Sequence, residues 1–332
     1  MLSVVRRILT VSTLMFFLLI AAMILGLCFG SSVTGMDSFL DAFKGFANPD
    51  SLIYTIIWKI RFPRVLIAAM VGAALSLGGL VFQALLRNPL AEPYILGISG
   101  GAAVGAIFGI LLNFSRFPGV SLLAFSGGMG TLFLVLIISS GNTLLKKESL
   151  LLSGVMVNAF CSAVIMFLIS LTQDARIHNI MFWLMGDLGA GGTNEAMLLG
   201  CMLLPCLLII FWFSNSMNLL LMGKEMAHSM GVNVKLVTVS LLVITSFMVS
   251  ATVCYCGLVA FVGLVIPHLF RLFFGSDHRV LVPACIFGGG AYLVLCDLLA
   301  RTLPRQGEMP AGVITALIGA PVFIFLLKRS RQ

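Results

Sequence analysis

Charge is what this sequence has least of. Asp, Glu, Lys and Arg make up 10% of its 332 residues, while hydrophobic residues make up 60% and the mean hydropathy is +1.13. Soluble domains carry about 25% charged residues, so a soluble globular protein is excluded. The long polar stretches that a separate soluble domain would need are also missing. We expect one integral membrane domain spanning 1–332. Paired cysteines are absent too. Cys28, Cys161, Cys201, Cys206, Cys254, Cys256, Cys285 and Cys296 are scattered, form no CxxC and fall almost entirely in apolar runs. They read as small apolar helix residues rather than a metal or disulfide framework. The histidines are His178, His228, His268 and His278. Only His268, after the helix-breaking Pro267 in "GLVIPHLFR", adjoins a helix interior. It has no second histidine within one turn, so metal ligation is not expected. There is no GxxxxGK[ST], no HExxH, no GxSxG and no paired carboxylates, which excludes phosphate-loop ATP hydrolysis and the familiar membrane-enzyme chemistries. A membrane-embedded enzyme therefore has no catalytic constellation here. No ladder of carboxylates or histidines suggests a proton relay, and a transporter driven by an ion gradient finds little support.

What is present is a succession of apolar runs. About 20 apolar residues span a ~30 Å hydrocarbon core. The runs are 8–30, 64–86, 94–112, 119–141, 150–171, 196–213, 235–256, 257–274, 280–300 and 311–327. The first, in "VVRRILTVSTLMFFLLIAAMILGLCFG", imitates a signal peptide, but its apolar core exceeds the 7–15 residues of a leader and we read it as a retained span. The 40 residues from 235 to 274 carry no charge between Lys235 and Arg271 and are split at Gly257, where a tight turn can reverse the chain. Eight or nine spans result if some runs are re-entrant.

Ten spans put both ends on one side. With a cytoplasmic N-terminus, 12 Lys and Arg lie inside and 8 outside, the bias that the positive-inside rule requires. The outside exceptions cluster: Lys59, Arg61 and Arg64 precede the second span, and Arg301 and Arg305 follow the ninth. Either an outside partner uses them, or they pair with Asp297, Glu308 or lipid phosphates. Asp297 lies one helical turn before Arg301, so a local ion pair is expected there. Gly101, Gly105 and Gly109 line one face of the third run, and Gly312, Ala316 and Ala320 repeat the pattern in the tenth. Such spacing lets membrane helices approach closely. One inside segment, Asn218 to Val234, "NLLLMGKEMAHSMGVNV", is half apolar and too short and charged to span. Leu221, Met222, Met226 and Met230 fall near one helical face, so a short amphipathic helix is expected, lying on the membrane or docked in a partner's groove.

Four long stretches carry a resemblance: "RFPRVLIAAMVGAALSLGGLVFQALLRNPLAEPYILGISGGAAVGA", "FWLMGDLGAG", "GLVAFVGLVIPHLFRLFFGSDHRVLVP" and "EMPAGVITALIGAPVFIFLL". From about Lys59 to Leu327 the chain resembles the FecCD-type permease subunits of bacterial ABC importers for iron–siderophores, haem and vitamin B12. The resemblance implies an all-α bundle of about ten membrane helices, a homodimer around a central path in the bacterial cytoplasmic (inner) membrane, two ATP-binding cassette subunits below and a periplasmic or lipid-anchored substrate-binding protein above. ATP and Mg would sit on the partner subunits, no cofactor on this chain, and no nucleic acid is involved. The cargo implied is a metal chelate, an iron(III)-siderophore first, with vitamin B12 or haem as alternatives. Arg61 and Arg64, with Arg301 or Arg305, would be the docking rim for the binding protein. The segment "GKEMAHSMGV" is similar to the family's ATPase-coupling segment: Gly223, Glu225, Ala227 and Gly231 match, Lys224 stands where an acid is usual and Met230 where leucine is, with His228 between them. Glu148 and Ser149 would belong to the inner gate, and Asn158 and Ser162 to the wall of the path.

Overall fold

The computed structural model describes residues 2–30, 54–139, 147–172, 174–304 and 307–330. Thirteen α-helices are present among them: α1 (Leu2–Cys28), α2 (Phe62–Leu86), α3 (Ile98–Leu111), α4 (Ser121–Ser139), α5 (Lys147–Ser170), α6 (Asp174–Leu184), α7 (Thr193–Trp212), α8 (Ser214–Met222), α9 (Lys224–Ser229), α10 (Val234–Cys256), α11 (Val262–Phe274), α12 (His278–Thr302) and α13 (Ala311–Ser330). A wider π-helical stretch, Thr55–Arg61, runs straight into α2. Each of the ten apolar runs coincides with a helix. Among the described residues, seven stretches are long and apolar enough to cross a membrane, those containing α1, α2, α4, α5, α7, α10 and α12, and three apolar helices are shorter, Ile98–Leu111, Val262–Phe274 and Ala311–Leu326.

The short helices have a local cause. At 1.5 Å per residue, the 14 residues of α3 reach only about 21 Å. The run expected at 94–112 begins its helix at Ile98, because Pro93 cannot join a helix interior and Gly97 is left-handed at φ 79°. The turn expected at Gly257 is a non-helical stretch from Gly257 (φ 71°) to Phe261 (φ 68°). These two interruptions face each other. Tyr94 Oη donates to the Val259 carbonyl at 3.0 Å and accepts from the Val259 N–H at 3.3 Å. Glu92 Oε1 accepts from the Phe261 N–H at 3.1 Å. Each break supplies partners that the other's backbone would lack in a dry bundle.

Burial identifies the axis. Along the most apolar window of the α2 span 89% of residues are buried, against 28% in the α4, α5 and α7 spans. Hydrocarbon tails are as apolar as leucine, so association rests on close packing. A Cβ placed on Gly72 of α2 would lie 2.2 Å from the Gly289 carbonyl of α12, and one on Gly79 would lie 1.7 Å from the Gly263 carbonyl of α11. At both places backbones touch with no room for a methyl group. The glycine face of α3 packs on α4 and the turn before it as its spacing predicts: Gly101 meets Gly127 and Gly105 meets Leu123 of α4, and Gly109 meets Val120 just ahead of it.

Candidate functional site

The N-terminal end of α2 and the C-terminal end of α12 bring together the cations expected either to form a docking rim or to pair with Asp297 and Glu308. They are turned inward. Arg61, Arg64 and Arg301 are 4%, 7% and 3% exposed. Asp297 is fully buried and takes Arg64 at 2.9 Å and Arg301 at 3.0 Å, the latter being the expected pair one turn apart. Arg64 also pairs with Glu308. Arg61 Nη1 donates to the carbonyls of Leu27 at 2.9 Å and Cys28 at 3.2 Å, and Arg301 Nη2 to that of Gly26 at 3.2 Å. The physical reason is plain. The last carbonyls of α1 have no partner within their own helix and form its negative end, and two guanidinium forks reach them while Asp297 holds two. These residues form an internal network of three arginines and two carboxylates, the pairing with Asp297 and Glu308 that was the alternative to an outside partner. The half-exposed Glu308 is the most accessible member of the network. Arg305 lies outside the described residues.

At the opposite end of α2 and α12 lies the segment 218–234. The single amphipathic helix expected over 218–234 is instead two helices meeting at a corner. Gly223, at φ 128° and ψ 150°, ends α8 and starts the six-residue α9. That conformation is nearly closed to residues with a Cβ. The corner projects an apolar surface: Leu221, Met222, Met226 and Met230 are 39%, 62%, 48% and 55% exposed. Glu225 and His228 are exposed beside them, Ala227 is buried, Lys224 opens α9, and Gly231 leaves it at φ 82°. A hollow of about 680 Å³ lies between Arg87, Met222, Glu225 and Met226.

Two anchors tie this segment to the axis, and neither has a direct signal in the sequence. Arg87, at the end of α2, donates to the Leu220 carbonyl. Asn218 Nδ2 donates to Asp277 Oδ1 at 2.8 Å, and Asn218 Oδ1 accepts from the His278 N–H and faces His278 Nδ1, each at 2.8 Å. Asp277 caps α12 and is held down to about 2, below its ordinary 3.8, chiefly by the side-chain hydrogen bonds of Arg279 and also by that of Asn218. Both anchors join residues far apart in sequence, Arg87 to Leu220 and Asn218 to Asp277 and His278.

The remaining candidates lie along α5 and are not brought into either cluster. Glu148 is exposed in its first turn and Ser149 is half-buried. Ser162 Oγ donates to the Asn158 carbonyl at 2.9 Å, and Asn158 sits against Gly100 of α3. The outward face of α5 is otherwise apolar, with Phe160, Met166 and Phe167 61–70% exposed.

Comparison with known proteins places this architecture. The profile of the FecCD transport family matches residues 18–329. The vitamin B12 import system permease protein BtuC of Klebsiella pneumoniae subsp. pneumoniae is 40% identical over 317 residues, covering 95% of this chain and 92% of that protein. The hemin transport system permease protein HmuU of Yersinia pestis is 37% identical over 322 residues, covering 95% of each. A solved structure described as an inward-facing conformation of a metal-chelate type ABC transporter superposes with a TM-score of 0.85 at 30% identity, over 96% of this chain and 99% of that one.

Proposed function

Because this chain belongs to the FecCD transport family, we propose that it is the multi-pass, membrane-spanning permease of an ABC importer, carrying a metal-centred macrocycle of the corrin or haem kind. Its relatives are named for vitamin B12 and hemin, and they favour that class over the iron(III)-siderophore that the sequence suggested first. Two copies pair around a path walled by α5 and α13, with both termini in the cytoplasm. ATP is hydrolysed on separate subunits that grip the α8–α9 corner.

The observation that carries the reading is the pair of rods α2 and α12. Each has 25 residues, about 37 Å at helical rise. Each is anchored to the α8–α9 segment at its inner end, by Arg87 and by Asp277–His278, and to the arginine network at its outer end. ATPase closure moves the corner, the anchors move the rods, and the outer network shifts with them. Moving a two-state equilibrium from 1:99 to 99:1 takes about 5.5 kcal/mol of differential binding, which a nucleotide-driven partner supplies and this chain does not.

Docking of the binding protein follows from the same network. An acidic side chain of that partner replaces Glu308 on Arg64 rather than meeting an open cation. Removing the internal competitor tests this: Glu308→Gln strengthens binding-protein affinity and Arg64→Gln weakens it. Equal affinity in both would end the proposal. Cargo is settled by uptake of labelled cobalamin, haem and a ferric siderophore through the assembled complex. Uptake of the siderophore alone would overturn the macrocycle assignment.

A further inference from the structure

A second polar site lies at the outer end of the bundle, outside the arginine network. The end of α3, the turn Arg116–Val120 before α4, and α6 enclose a cavity of about 430 Å³. That volume is within the range of small-ligand pockets. Its walls include Arg116, Arg176, His178, Asn179, Phe114 and Trp183. Arg116 is already matched: Nη1 reaches Asp187 Oδ2 at 2.7 Å and Nη2 reaches the Asp187 carbonyl at 3.1 Å. Arg176 is not. It donates through Nη1 to the Leu111 carbonyl at 2.6 Å, at the end of α3, and makes no ion pair among the described residues. That bond orients the guanidinium and leaves its other N–H groups available. His178 packs against Phe182 with ring centroids 4.5 Å apart and planes tilted by 40°, and both His178 and Asn179 are exposed and line the cavity from α6. The one carboxylate in the wall among the described residues, Asp187, is neutralised by Arg116. The cavity therefore presents one uncompensated fork with imidazole and amide groups beside it, which is the chemistry that recognises a phosphate oxygen pair.

We propose that this cavity binds a phosphate group, with Arg176 as its principal ligand and His178 and Asn179 completing the contact. The phosphate comes from an anionic phospholipid headgroup or from a free phosphate anion. Leu112, Phe114 and Leu171, 58%, 50% and 66% exposed, give the neighbourhood an apolar margin on which acyl chains can rest.

The test uses the full chain in detergent, with two probes. Native mass spectrometry compares retention of phosphatidylglycerol with phosphatidylcholine of the same chains, and titration calorimetry measures inorganic phosphate. Removing one charge-assisted hydrogen-bonding group costs about tenfold in affinity. The wild type retains phosphatidylglycerol preferentially, or binds phosphate, and Arg176→Gln loses about tenfold. Lipid retention without phosphate binding assigns the site to the headgroup; binding of inorganic phosphate assigns it to a soluble anion. Because Arg176 also caps α3, a His178→Ala/Asn179→Ala variant at exposed positions repeats the measurement with that cap intact. If neither variant differs from wild type with either probe, the proposal fails. It fails equally if Arg176→Gln weakens only the affinity for the binding protein.

Discussion

Asp297→Ala is the perturbation that most sharply separates an internal network from an exposed rim. The carboxylate is fully buried and is held within 3.0 Å by both Arg64 and Arg301. Truncating it leaves two guanidinium groups, themselves 7% and 3% exposed, without their shared counter-charge. Breaking a buried pair by removing one partner costs about 3–5 kcal/mol. Glu308→Ala removes the other carboxylate of the network, but that side chain is 43% exposed, and a pair so open to water contributes about 0–1 kcal/mol. Unfolding of the purified protein in detergent, by heat and by denaturant, gives the comparison directly. Asp297→Ala is expected to be several kcal/mol less stable than Glu308→Ala. A triple replacement, Arg64→Met, Asp297→Leu and Arg301→Met, is expected to recover most of that loss, since a well-packed apolar set often matches a buried ion cluster. If Asp297→Ala unfolds no more readily than Glu308→Ala, the arginines are not enclosed as described and the inward-turned network is wrong.

Other outcomes follow from single contacts. Gly79→Ala, whose Cβ would lie 1.7 Å from the Gly263 carbonyl, is expected to abolish accumulation of folded protein, while Gly130→Ala, with nothing within 4 Å, is expected to be silent by size-exclusion profile. Met222→Asp with Met226→Asp changes only exposed side chains at the inner corner, so the fold should survive while co-purification with the ATPase is lost. Asp277 is depressed to about 2 from an ordinary 3.8. Its contribution to stability is therefore fully present above about pH 4 and is lost as pH falls through 2. The difference in unfolding temperature between wild type and Asp277→Asn should stay constant from pH 5 to 8 and shrink only in strong acid.

Much of the fold was legible because it is local. Apolar runs mark the helices, and Gly257 alone divides a run with no internal charge. Pro93 and Gly97 were visible too, yet the run at 94–112 conceals the late start of α3, since apolar residues look alike in a helix and in a buried extended segment. Pairing of the arginines with Asp297 and Glu308 was one of two readings the sequence allowed, but nothing local chose it, since Arg64 finds them at sequence separations of 233 and 244. The bonds of Arg61 to carbonyls at the end of α1 had no signal at all, because backbone acceptors leave no mark in composition. The glycines around α9 announced a boundary, but the corner that splits it from α8 depends on the single backbone conformation at Gly223.

The account rests on this chain being moved rather than moving itself. The decisive measurement is cargo uptake into proteoliposomes that hold the chain alone or together with its ATPase and binding protein, each with an imposed proton gradient. We expect accumulation only in the complete assembly supplied with ATP, unaffected by collapse of the gradient. Accumulation by the chain alone, driven by the gradient, would contradict it.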